Sequence, residues 1–550
     1  MAAAVSADTR SVRAPYGYRP TVIGLFAVAA VVHLVLLSKQ WFFYDEWAYL
    51  DPDVEAPGRS FLTWLFTPHN EHTIVWTRLW FQGVLHVDGM NHYVLYGLPV
   101  VVLNLVVAAS VLVIARRVTR RPWLAALCAV PILFMGAGTE NLMWAGQSQF
   151  ILPVALVLGW IALTDSSRLP GSVLARTLLA AGFAVVGALS SLVYLPLAVA
   201  LAVYMVLRRQ WWPAAVTIAI PVLQWGIARV VFDPVHARLY SAKNIWDYLE
   251  HVPQYVWAGF SAPLRSTLHS PELGYVVLGV TVVGVLVLAT RRRAASLAWT
   301  LLGAIVLFFL VTGYGRLALG PAQAESGRYA YIAMALIAPV WALLLAGVLD
   351  RARRADLRPV TPGKWSAAVL VGTFAVLGAT LLLTQARADA RLKSATEDVV
   401  RAAAAEVGTA VAAGTGRPEP AYAPDLTATA LARYVAAGYL STAPVRNDAR
   451  AQARVNLGWA ASPAPSPNPA SRDCASVTPS GSRPLDPSIR YLVTGPSGAT
   501  VQLAPVGSAA GPTRVVTLTG ATVVAPVRPG VPPAELRNSS TAAVTVCATG

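Results

Sequence analysis

Long apolar runs alternate with short polar segments over the first 385 residues of the chain. A helix that crosses a bilayer needs roughly 17 to 25 mostly apolar residues, and eleven runs approach that length. They lie near 21–39, 94–115, 122–137, 149–164, 174–190, 192–207, 213–231, 273–290, 294–313, 328–349 and 365–385. Only Ser190 and Ser191 separate the fifth run from the sixth, so this pair is compatible with a re-entrant or tightly kinked unit. The pattern predicts an all-α polytopic membrane protein with about eleven transmembrane helices.

Basic residues collect in alternate segments between these runs. If the N-terminus is cytoplasmic, the inner segments up to residue 364 hold nineteen Lys and Arg and the outer segments nine, whereas acidic residues number four inside and thirteen outside. This distribution satisfies the positive-inside rule at every inner loop. It predicts a plasma-membrane protein with a cytoplasmic N-terminal tail over 1–20 and outer loops beginning at Trp41, Thr139, Asp233 and Gly315. An odd number of spans then places the C-terminal tail outside.

From about residue 386 the chain becomes rich in Ala, Pro, Ser, Thr and Gly, and no apolar run of spanning length follows. Two helix-like stretches, 388–413 and 425–438, precede a Ser/Pro-rich linker at Ser462–Pro469. Short stretches broken by Pro and Gly then predict strands at Tyr491–Thr494, Ala499–Leu503, Arg514–Leu518, Ala521–Ala525 and Ala542–Cys547. We therefore divide the chain into a tail 1–20, a transmembrane domain 21–385 with its first outer loop at 40–93, and an extracytoplasmic α+β domain 386–550.

Cys474 and Cys547 fall at the beginning and end of the β-rich part of this tail. In an oxidising compartment a bridge between them would close a long loop and add roughly 4 kcal/mol to stability. Two unrelated buried thiols are the alternative. The third cysteine, Cys128, lies inside an apolar run, so a disulfide scaffold and a cysteine-based zinc site are excluded.

The composition agrees with a membrane protein rather than with several soluble domains. The 550 residues are 56% hydrophobic and 13% charged, and the mean hydropathy is +0.54. The formal net charge is +16, but the basic residues stand in short clusters between apolar runs rather than on one polar domain. No nucleic-acid partner is therefore expected.

The first outer loop concentrates residues that can carry chemistry. It holds four of the eight histidines, seven acidic residues and aromatic residues throughout, so we expect short interfacial helices rather than a solvated loop. Asp45 and Glu46 come directly after the first span, within the aromatic segment Trp41–Trp47. Partial desolvation there would raise the pKa of a carboxylate towards that of a useful general base. The alternative is that these acidic residues flank an outer helix end for topology alone.

Further along this loop, His69, Glu71 and His72 could line an active site or bond a sugar or phosphate. The two histidines are three residues apart, which does not match the HExxH zinc pattern. A divalent metal ion held by Asp45 or Glu46 together with His69 or His72 is compatible with these residues but is not implied by them. No cofactor is assigned from the sequence.

Two later outer segments share this polar character. Glu140 and Asn141 begin a turn rich in amides that suits the binding of sugar hydroxyls. Arg328 and Tyr329 stand at the mouth of the tenth run, where a planar guanidinium can reach an anionic lipid phosphate in the headgroup layer. Arg316 could share this role. An arginine that merely marks the membrane interface is the alternative.

Together these features resemble the GT-C glycosyltransferases, polytopic enzymes that take a sugar from a polyprenyl-phosphate carrier. The resemblance covers roughly residues 20–385 in architecture and is carried by the Asp45–Glu46 pair, the helical first loop, the number of spans, the late Arg-Tyr pair and the C-terminal domain. Relatives in this superfamily include the protein O-mannosyltransferases and the actinobacterial arabinofuranosyltransferases. The His69–His72 stretch does not match the His-Pro-Pro type segment of the former, which argues against a protein acceptor. The C-terminal domain of the latter resembles a carbohydrate-binding module, and the β-rich tail here could be similar.

The resemblance implies an inverting transfer on the outer face, from a polyprenyl-phosphate-linked sugar to a cell-envelope glycan or lipid. Asp45 would deprotonate the acceptor hydroxyl with Glu46 as its neighbour, and Arg328 would stabilise the departing phosphate. Sugar contacts are expected from Glu71, His72, Glu140 and Asn141. The expected partners are this donor, the acceptor and membrane lipids.

Two other classes of protein stay open. A transporter or flippase of lipid-linked sugars would also have many spans, but it would be expected to carry polar residues or Gly/Pro breaks near the bilayer midplane. The runs here are mostly apolar, with polarity gathered at the outer ends. A non-catalytic membrane scaffold is the third possibility, and the acidic, histidine-rich first loop argues against it.

Overall fold

A computed structural model of the chain describes residues 17–164, 171–232, 244–268, 270–288, 292–354, 364–410, 417–418, 422–442, 447–463, 471–506, 514–518, 521–526 and 533–549. Most of the predicted N-terminal tail, residues 233–243 of the outer loop that begins at Asp233, and residues 464–469 of the predicted linker lie outside the described residues.

Helices account for most of the described chain up to residue 458. Those up to residue 133 are α1 (Tyr18–Leu37), α2 (Glu46–Leu50), α3 (Pro52–Glu55), α4 (Phe61–Phe66), α5 (Val75–Asp88), α6 (Tyr93–Thr119) and α7 (Pro122–Leu133). Those from residue 139 to residue 268 are α8 (Thr139–Met143), α9 (Ser148–Thr164), α10 (Val173–Ala188), α11 (Tyr194–Leu207), α12 (Trp211–Ile227) and α13 (Ile245–Leu268). The others are α14 (Pro271–Leu288), α15 (Arg292–Arg316), α16 (Gly327–Arg354), α17 (Lys364–Ala410), α18 (Ala428–Ala436) and α19 (Asn447–Gly458).

Each of the eleven predicted apolar runs coincides with a helix. Within the described ranges, seven helical stretches are long and apolar enough to cross a membrane: Tyr18–Leu37, Tyr93–Thr119, Ala145–Thr164, Trp211–Phe232, Ser296–Leu319, Gly327–Arg351 and Val369–Val407. Pro122–Leu133 and Gly136–Met143 form a further candidate that is bent by 43°. Three shorter apolar helices, Val173–Ala188, Tyr194–Leu207 and Gly274–Val287, account for the other runs. The chain is therefore a multi-pass membrane protein, while its span count and orientation stay predictions.

The bend after α7 coincides with a close approach of two backbones. A Cβ atom added at Gly136 would lie 2.6 Å from the Cβ of Leu381, and one added at Gly378 would lie 2.6 Å from the carbonyl oxygen of Phe134. A residue with a side chain could not occupy either position without displacing its neighbour. The two glycines therefore allow the end of α7 to pack directly against α17.

Contacts divide the chain into two compact units. The first comprises Met1–Leu37, Leu65–Thr77 and Gly97–Arg387, and the second comprises Ser38–Trp64, Arg78–Tyr96 and Ala388–Gly550. This grouping differs from the predicted boundary at residue 385, because most of the first outer loop falls in the same unit as the C-terminal tail.

Helix α16 forms the core of the first unit. No residue from 329 to 338 is more than 4% exposed, and α16 packs against α7, α8, α9, α13 and α15. A helix that is apolar on every side is stable only where other helices surround it. By contrast, α12 and α14 carry large exposed apolar side chains such as Trp212 and Val276, as expected of helices that face lipid.

The second unit contains a β-domain of two antiparallel sheets. Its strands are β1 (Trp459–Pro463), β2 (Ser471–Val477), β3 (Ser482–Leu485), β4 (Arg490–Thr494), β5 (Thr500–Pro505), β6 (Arg514–Thr517), β7 (Thr522–Pro526), β8 (Ala534–Asn538) and β9 (Val544–Thr549). The sheet orders are β1-β7-β4-β9-β2 and β3-β8-β5-β6. Alternating inward side chains, among them Trp459, Val493, Val501 and Leu536, form one hydrophobic core.

The predicted class, a polytopic helical protein followed by a small α+β domain, is confirmed. All five predicted strands are present, as are the helix-like stretches 388–413 (in α17) and 425–438 (α18). The predicted linker is wrong at its start, because Ser462 and Pro463 belong to β1 and pair with β7. Cys474 and Cys547 face each other on β2 and β9 and are bridged, which decides between the two alternatives that the sequence leaves open.

Candidate functional site

Asp45 stands on a tight turn at the start of the first outer loop. The preceding residue, Tyr44, has a φ of +44°, a conformation that costs energy for a residue with a side chain. The Tyr44 amide donates a hydrogen bond of 2.8 Å to the carbonyl oxygen of Tyr422, and the Phe43 and Tyr422 rings stack with centroids 5.5 Å apart. These contacts hold the backbone that precedes Asp45, a half-buried residue at the N-cap position of α2.

The neighbouring carboxylate has a different environment. Glu46 is fully buried, and its two oxygens accept hydrogen bonds from the Tyr93 hydroxyl at 2.8 Å and from the Phe43 amide at 3.0 Å. The predicted aromatic surroundings are present: Trp41, Phe42 and Trp47 are buried and pack edge-on or tilted at centroid distances of 5.5–5.6 Å. These two hydrogen bonds fix the orientation of α2 at its first residue.

Lys393, which the sequence analysis did not single out, lies in the same part of the second unit. Its side chain comes from α17 and is only 4% exposed. The ammonium nitrogen lies 5.7 Å from the ring centre of Phe43 and 5.9 Å from that of Tyr93, which are the two residues that donate to Glu46. Aromatic faces stabilise a buried cation at such distances.

A second basic residue from the tail contacts the loop just after α2. The Arg433 guanidinium of α18 donates from Nη2 to both oxygens of Asp51, at 2.8 and 2.9 Å, and from Nη1 to Asp53. Asp51 also caps α3 by accepting from the Asp53 amide at 3.1 Å. Burial raises the pKa of the Asp51 carboxyl, and Arg433 opposes that rise. The hydrogen bond from Arg433 lowers the pKa of Asp53.

Arg78 is the largest charged side chain that is fully buried in this unit. Its Nη1 donates to the carbonyl oxygen of Trp64 at 2.6 Å, and the guanidinium lies 4.9 Å from the centre of the Trp64 ring. Burial lowers the pKa of Arg78 to about 10. This arginine joins the end of α4 to α5 within the second unit.

The predicted His69–His72 stretch forms a tight turn in the first unit. The two histidines exchange backbone hydrogen bonds of 2.8 and 2.9 Å, and Asn70 takes a φ of +51°. The Nδ1 atom of His72 lies 3.1 Å from the hydroxyl oxygen of Ser191, and the His72 ring packs edge-on against Phe150. His69 is buried, whereas Glu71 and His72 are half-buried. The short separation of the histidines therefore places both of them on one turn.

Glu71 and Glu140 each bind one of the predicted arginines. Glu71 Oε2 lies 2.7 Å from Arg316 Nη2, and Glu140 Oε1 lies 2.9 Å from Arg328 Nε. Glu140 also accepts from the Arg328 backbone amide at 3.1 Å. The fully buried Asn141 donates to the Arg328 carbonyl oxygen at 3.1 Å. The structure thus joins these residues in two half-exposed ion pairs.

Tyr329 and Tyr255 lie next to these arginines. Tyr329 is buried against Phe308, at a centroid distance of 5.4 Å, and Arg328 stands over its ring at 5.8 Å. Tyr255 of α13 was not foreseen from the sequence. Burial raises the pKa of its hydroxyl, the nearby Tyr329 acts in the same direction, and Arg316 and Arg328 act against the rise. Both arginines are therefore close enough to influence the same phenol.

The ten predicted site residues divide between the units. Asp45 and Glu46 belong to the second, and His69, Glu71, His72, Glu140, Asn141, Arg316, Arg328 and Tyr329 belong to the first. Among the residues that the structure describes, no three His, Cys, Asp or Glu side chains gather closely enough to hold a metal ion.

No family model and no curated protein matches the chain. Among solved structures, it is similar to two crystal structures of ArnT from Cupriavidus metallidurans, one bound to undecaprenyl phosphate and one in the apo state. The identity is 15% in both cases, with 72% of this chain covered and 82% of the bound or 81% of the apo chain. The TM-scores are 0.43 and 0.44. A likeness at this level establishes neither a shared fold nor a shared activity.

Proposed function

We propose that the chain is a membrane glycosyltransferase that moves a sugar from a polyprenyl-phosphate carrier to a cell-envelope glycan or lipid on the outer face. The observation that carries the proposal is the Asp45–Glu46 pair after the first span. One carboxylate is buried and held by two hydrogen bonds, and the other stands half-buried beside a strained turn. Strained backbone and fixed carboxylates are typical of catalytic sites.

Within this pair, Asp45 suits the general base and Glu46 suits a supporting role. Both Glu46 oxygens already accept hydrogen bonds inside an aromatic cluster, so a substrate hydroxyl could reach them only after those bonds break. Asp45 retains solvent exposure and lies next to the fixed residue. A base must come within hydrogen-bond reach of the proton that it removes, and exposure is the first requirement for that.

The reaction would be a single displacement. Asp45 would take the proton of the acceptor hydroxyl, and the acceptor oxygen would form a bond to the anomeric carbon as the bond to the phosphate oxygen breaks. The leaving group is the polyprenyl phosphate, whose negative charge an arginine would stabilise. Attack from the opposite side inverts the anomeric centre.

Arg328, with Arg316, is the proposed partner of the phosphate. Each is about a fifth to a quarter exposed, with side-chain exposures of 26% for Arg328 and 19% for Arg316. Phosphate is a strong bidentate ligand of a guanidinium and would compete with the carboxylates of Glu140 and Glu71. Those two glutamates, with His72, would then be available to hydroxyl groups of the sugar. His69, Asn141 and Tyr329 are buried and would contact substrate only after a local opening.

A lipid-linked sugar flippase is the second candidate, because polar groups are buried within the spans. Tyr331 of α16 donates to Asn104 of α6 at 2.7 Å, and His33 of α1 is fully buried. Polar side chains at such depths often mark a transport path. The hydrogen bond between Tyr331 and Asn104 can also serve to hold α16 and α6 together.

A reconstituted assay separates these candidates. Purified protein in nanodiscs or liposomes is incubated with radiolabelled polyprenyl-phosphate sugars and with short cell-envelope glycans or lipids. We expect transfer of label to one acceptor with release of polyprenyl phosphate. Movement of labelled lipid across liposomes without any release would refute the transferase proposal in favour of the flippase.

The proposed outer-face action has its own test. Single cysteines introduced at Arg59, which is exposed in the first outer loop, and at Gly315 should react with a membrane-impermeant maleimide added from outside, and one introduced at Arg209 should not. Labelling only at residue 209 would reverse the orientation.

A further inference from the structure

The second unit places one short piece of the C-terminal tail against the loop that carries Asp45. We call residues 422–440 the clamp segment, and we propose that it positions the Asp45–Glu46 pair, with Arg433 as its principal positioning residue. The inference rests on the proposed function for its consequence on rate. Its structural part, that the clamp segment restrains the loop, can be tested without any assay of transfer.

The first contact lies immediately before Asp45. The carbonyl oxygen of Tyr422 accepts from the Tyr44 amide at 2.8 Å, and the Tyr422 ring stacks on Phe43 with an interplanar angle of 18°. Tyr44 has its positive φ at this point. A strained residue keeps its conformation only if the surrounding structure enforces it. The bond from Tyr422 is one such restraint.

The second contact lies at the other end of α2. Arg433 bridges Asp51 and Asp53 with its two terminal nitrogens, and Asp51 is 5% exposed. Asp51 follows the last residue of α2 and caps α3. The clamp segment therefore holds the chain on both sides of α2. The Asp45–Glu46 pair lies at the N-terminal end of this helix.

The third contact involves the later part of the loop. The Met90 amide donates to the Tyr439 carbonyl oxygen at 2.7 Å. Gly89, with a φ of +63°, lies so close that a Cβ atom there would be 2.7 Å from the same oxygen. The Gly89 carbonyl oxygen in turn accepts from Tyr96 at 2.7 Å. Three separate points of one short segment thus touch both ends of the loop portion in this unit.

Of the three attachments, the one made by Arg433 should contribute most to the stability of the contact. A planar guanidinium shared by two carboxylates gives charge-assisted hydrogen bonds with a defined direction, which a lysine cannot reproduce. The hydrogen bonds of the other two attachments use backbone atoms, so substitution of Arg433 leaves them in place. Arg433→Ala should consequently loosen α2 without removing the whole attachment, and Arg433→Lys should have an intermediate effect.

Hydrogen exchange on the full-length protein tests the restraint itself. In Arg433→Ala, amides of residues 44–51 should exchange about tenfold faster or more, as expected from the loss of hydrogen bonds to charged groups, while β4 and β9 keep their protection. Arg454→Ala is the matched control, because Arg454 forms a comparable pair with Glu406 at 3.0 Å in the same unit. Unchanged exchange at 44–51 in Arg433→Ala would overturn the proposal.

Kinetics test whether the restraint acts through Asp45. Arg433→Ala should lower kcat by about 10- to 100-fold, since small misplacements of a catalytic group have effects of that size, and it should leave the donor KM unchanged. In an Asp45→Asn background the same substitution should cause no further loss. An equal loss in both backgrounds would refute the positioning role. If Asp45→Asn transfers sugar normally, the proposed function fails, and the exchange result alone decides whether the clamp segment restrains the loop.

Discussion

Separate substitutions of Asp45 and Glu46 should distinguish a residue that is needed for catalysis from one that is needed for stability. Glu46 is fully buried, and its replacement by Ala would remove the acceptor of two hydrogen bonds, one from the buried Tyr93 hydroxyl and one from the partly buried Phe43 amide. Asp45 is half-buried, and Asn at this position keeps its size. The two neighbours should therefore give opposite phenotypes.

The magnitude follows from the hydrogen bonds. A donor that loses its acceptor costs about 1–3 kcal/mol, so the loss of both bonds in Glu46→Ala should lower the free energy of unfolding by about 2–6 kcal/mol. That is a large share of the 5–15 kcal/mol that stabilises a typical protein. Asp45→Asn should change the free energy of unfolding by less than about 1 kcal/mol. Its kcat should fall by about two to four orders of magnitude, the usual cost of losing a general base.

Denaturant unfolding in detergent micelles and the transfer assay measure the two quantities on the same preparations. Glu46→Gln is the matched control, because it retains one acceptor oxygen and should lie between the wild type and Glu46→Ala in stability. Near-normal turnover by Asp45→Asn would refute the assignment of the base. A stable Glu46→Ala protein with no turnover would transfer that assignment to Glu46.

Three further predictions concern the phosphate partner, the disulfide and the tail. Arg328→Ala should raise the donor KM and leave the base in place, whereas a loss confined to kcat would contradict a role in donor binding. Cys474→Ser should lower the free energy of unfolding by about 4 kcal/mol, because the bridge closes a loop across 73 residues, and reductant should then have no further effect. Deletion of 411–550 should abolish donor cleavage along with acceptor transfer, since it leaves α17 whole and removes the clamp segment, whereas deletion of 443–550 should spare donor cleavage. Equal activity of the two deletions would argue against the clamp segment.

Much of the fold could be predicted because membrane spans and strands are local patterns. Each apolar run produced a helix, since a long apolar segment has few other ways to satisfy its backbone in a bilayer. The missed helix α19 is polar along most of its length, and its buried face mixes Ala and the amides Gln452 and Asn456 with only two larger apolar residues, Val455 and Leu457. Strand β3, with its Arg483-Pro484 pair, has only one fully buried residue and gives little alternation to detect.

The sequence predicts which types of residue form the candidate site, but not which residues contact one another. The Asp-Glu pair and the late arginines are visible as polar residues at helix ends, but their partners are not. Arg433 and Asp51 are 382 residues apart, and Arg316 and Glu71 are 245 apart. With 43 basic and 27 acidic residues in the chain, no local pattern selects these pairs. Lys393 is hidden for the same reason, since its aromatic contacts come from a distant part of the sequence.

Composition and contacts lead to different groupings of the C-terminal tail. Composition changes near residue 386, so the sequence predicts a separate domain there. Compactness depends on contacts instead, and these join residues 422–440 to the first loop through Tyr422, Arg433 and Tyr439. A segment can therefore differ in composition from the membrane part and still be necessary for the geometry of Asp45. If the clamp segment acts as proposed, loss of activity on removing the tail would first indicate that the base is misplaced. It would not by itself indicate that the β-domain binds glycan.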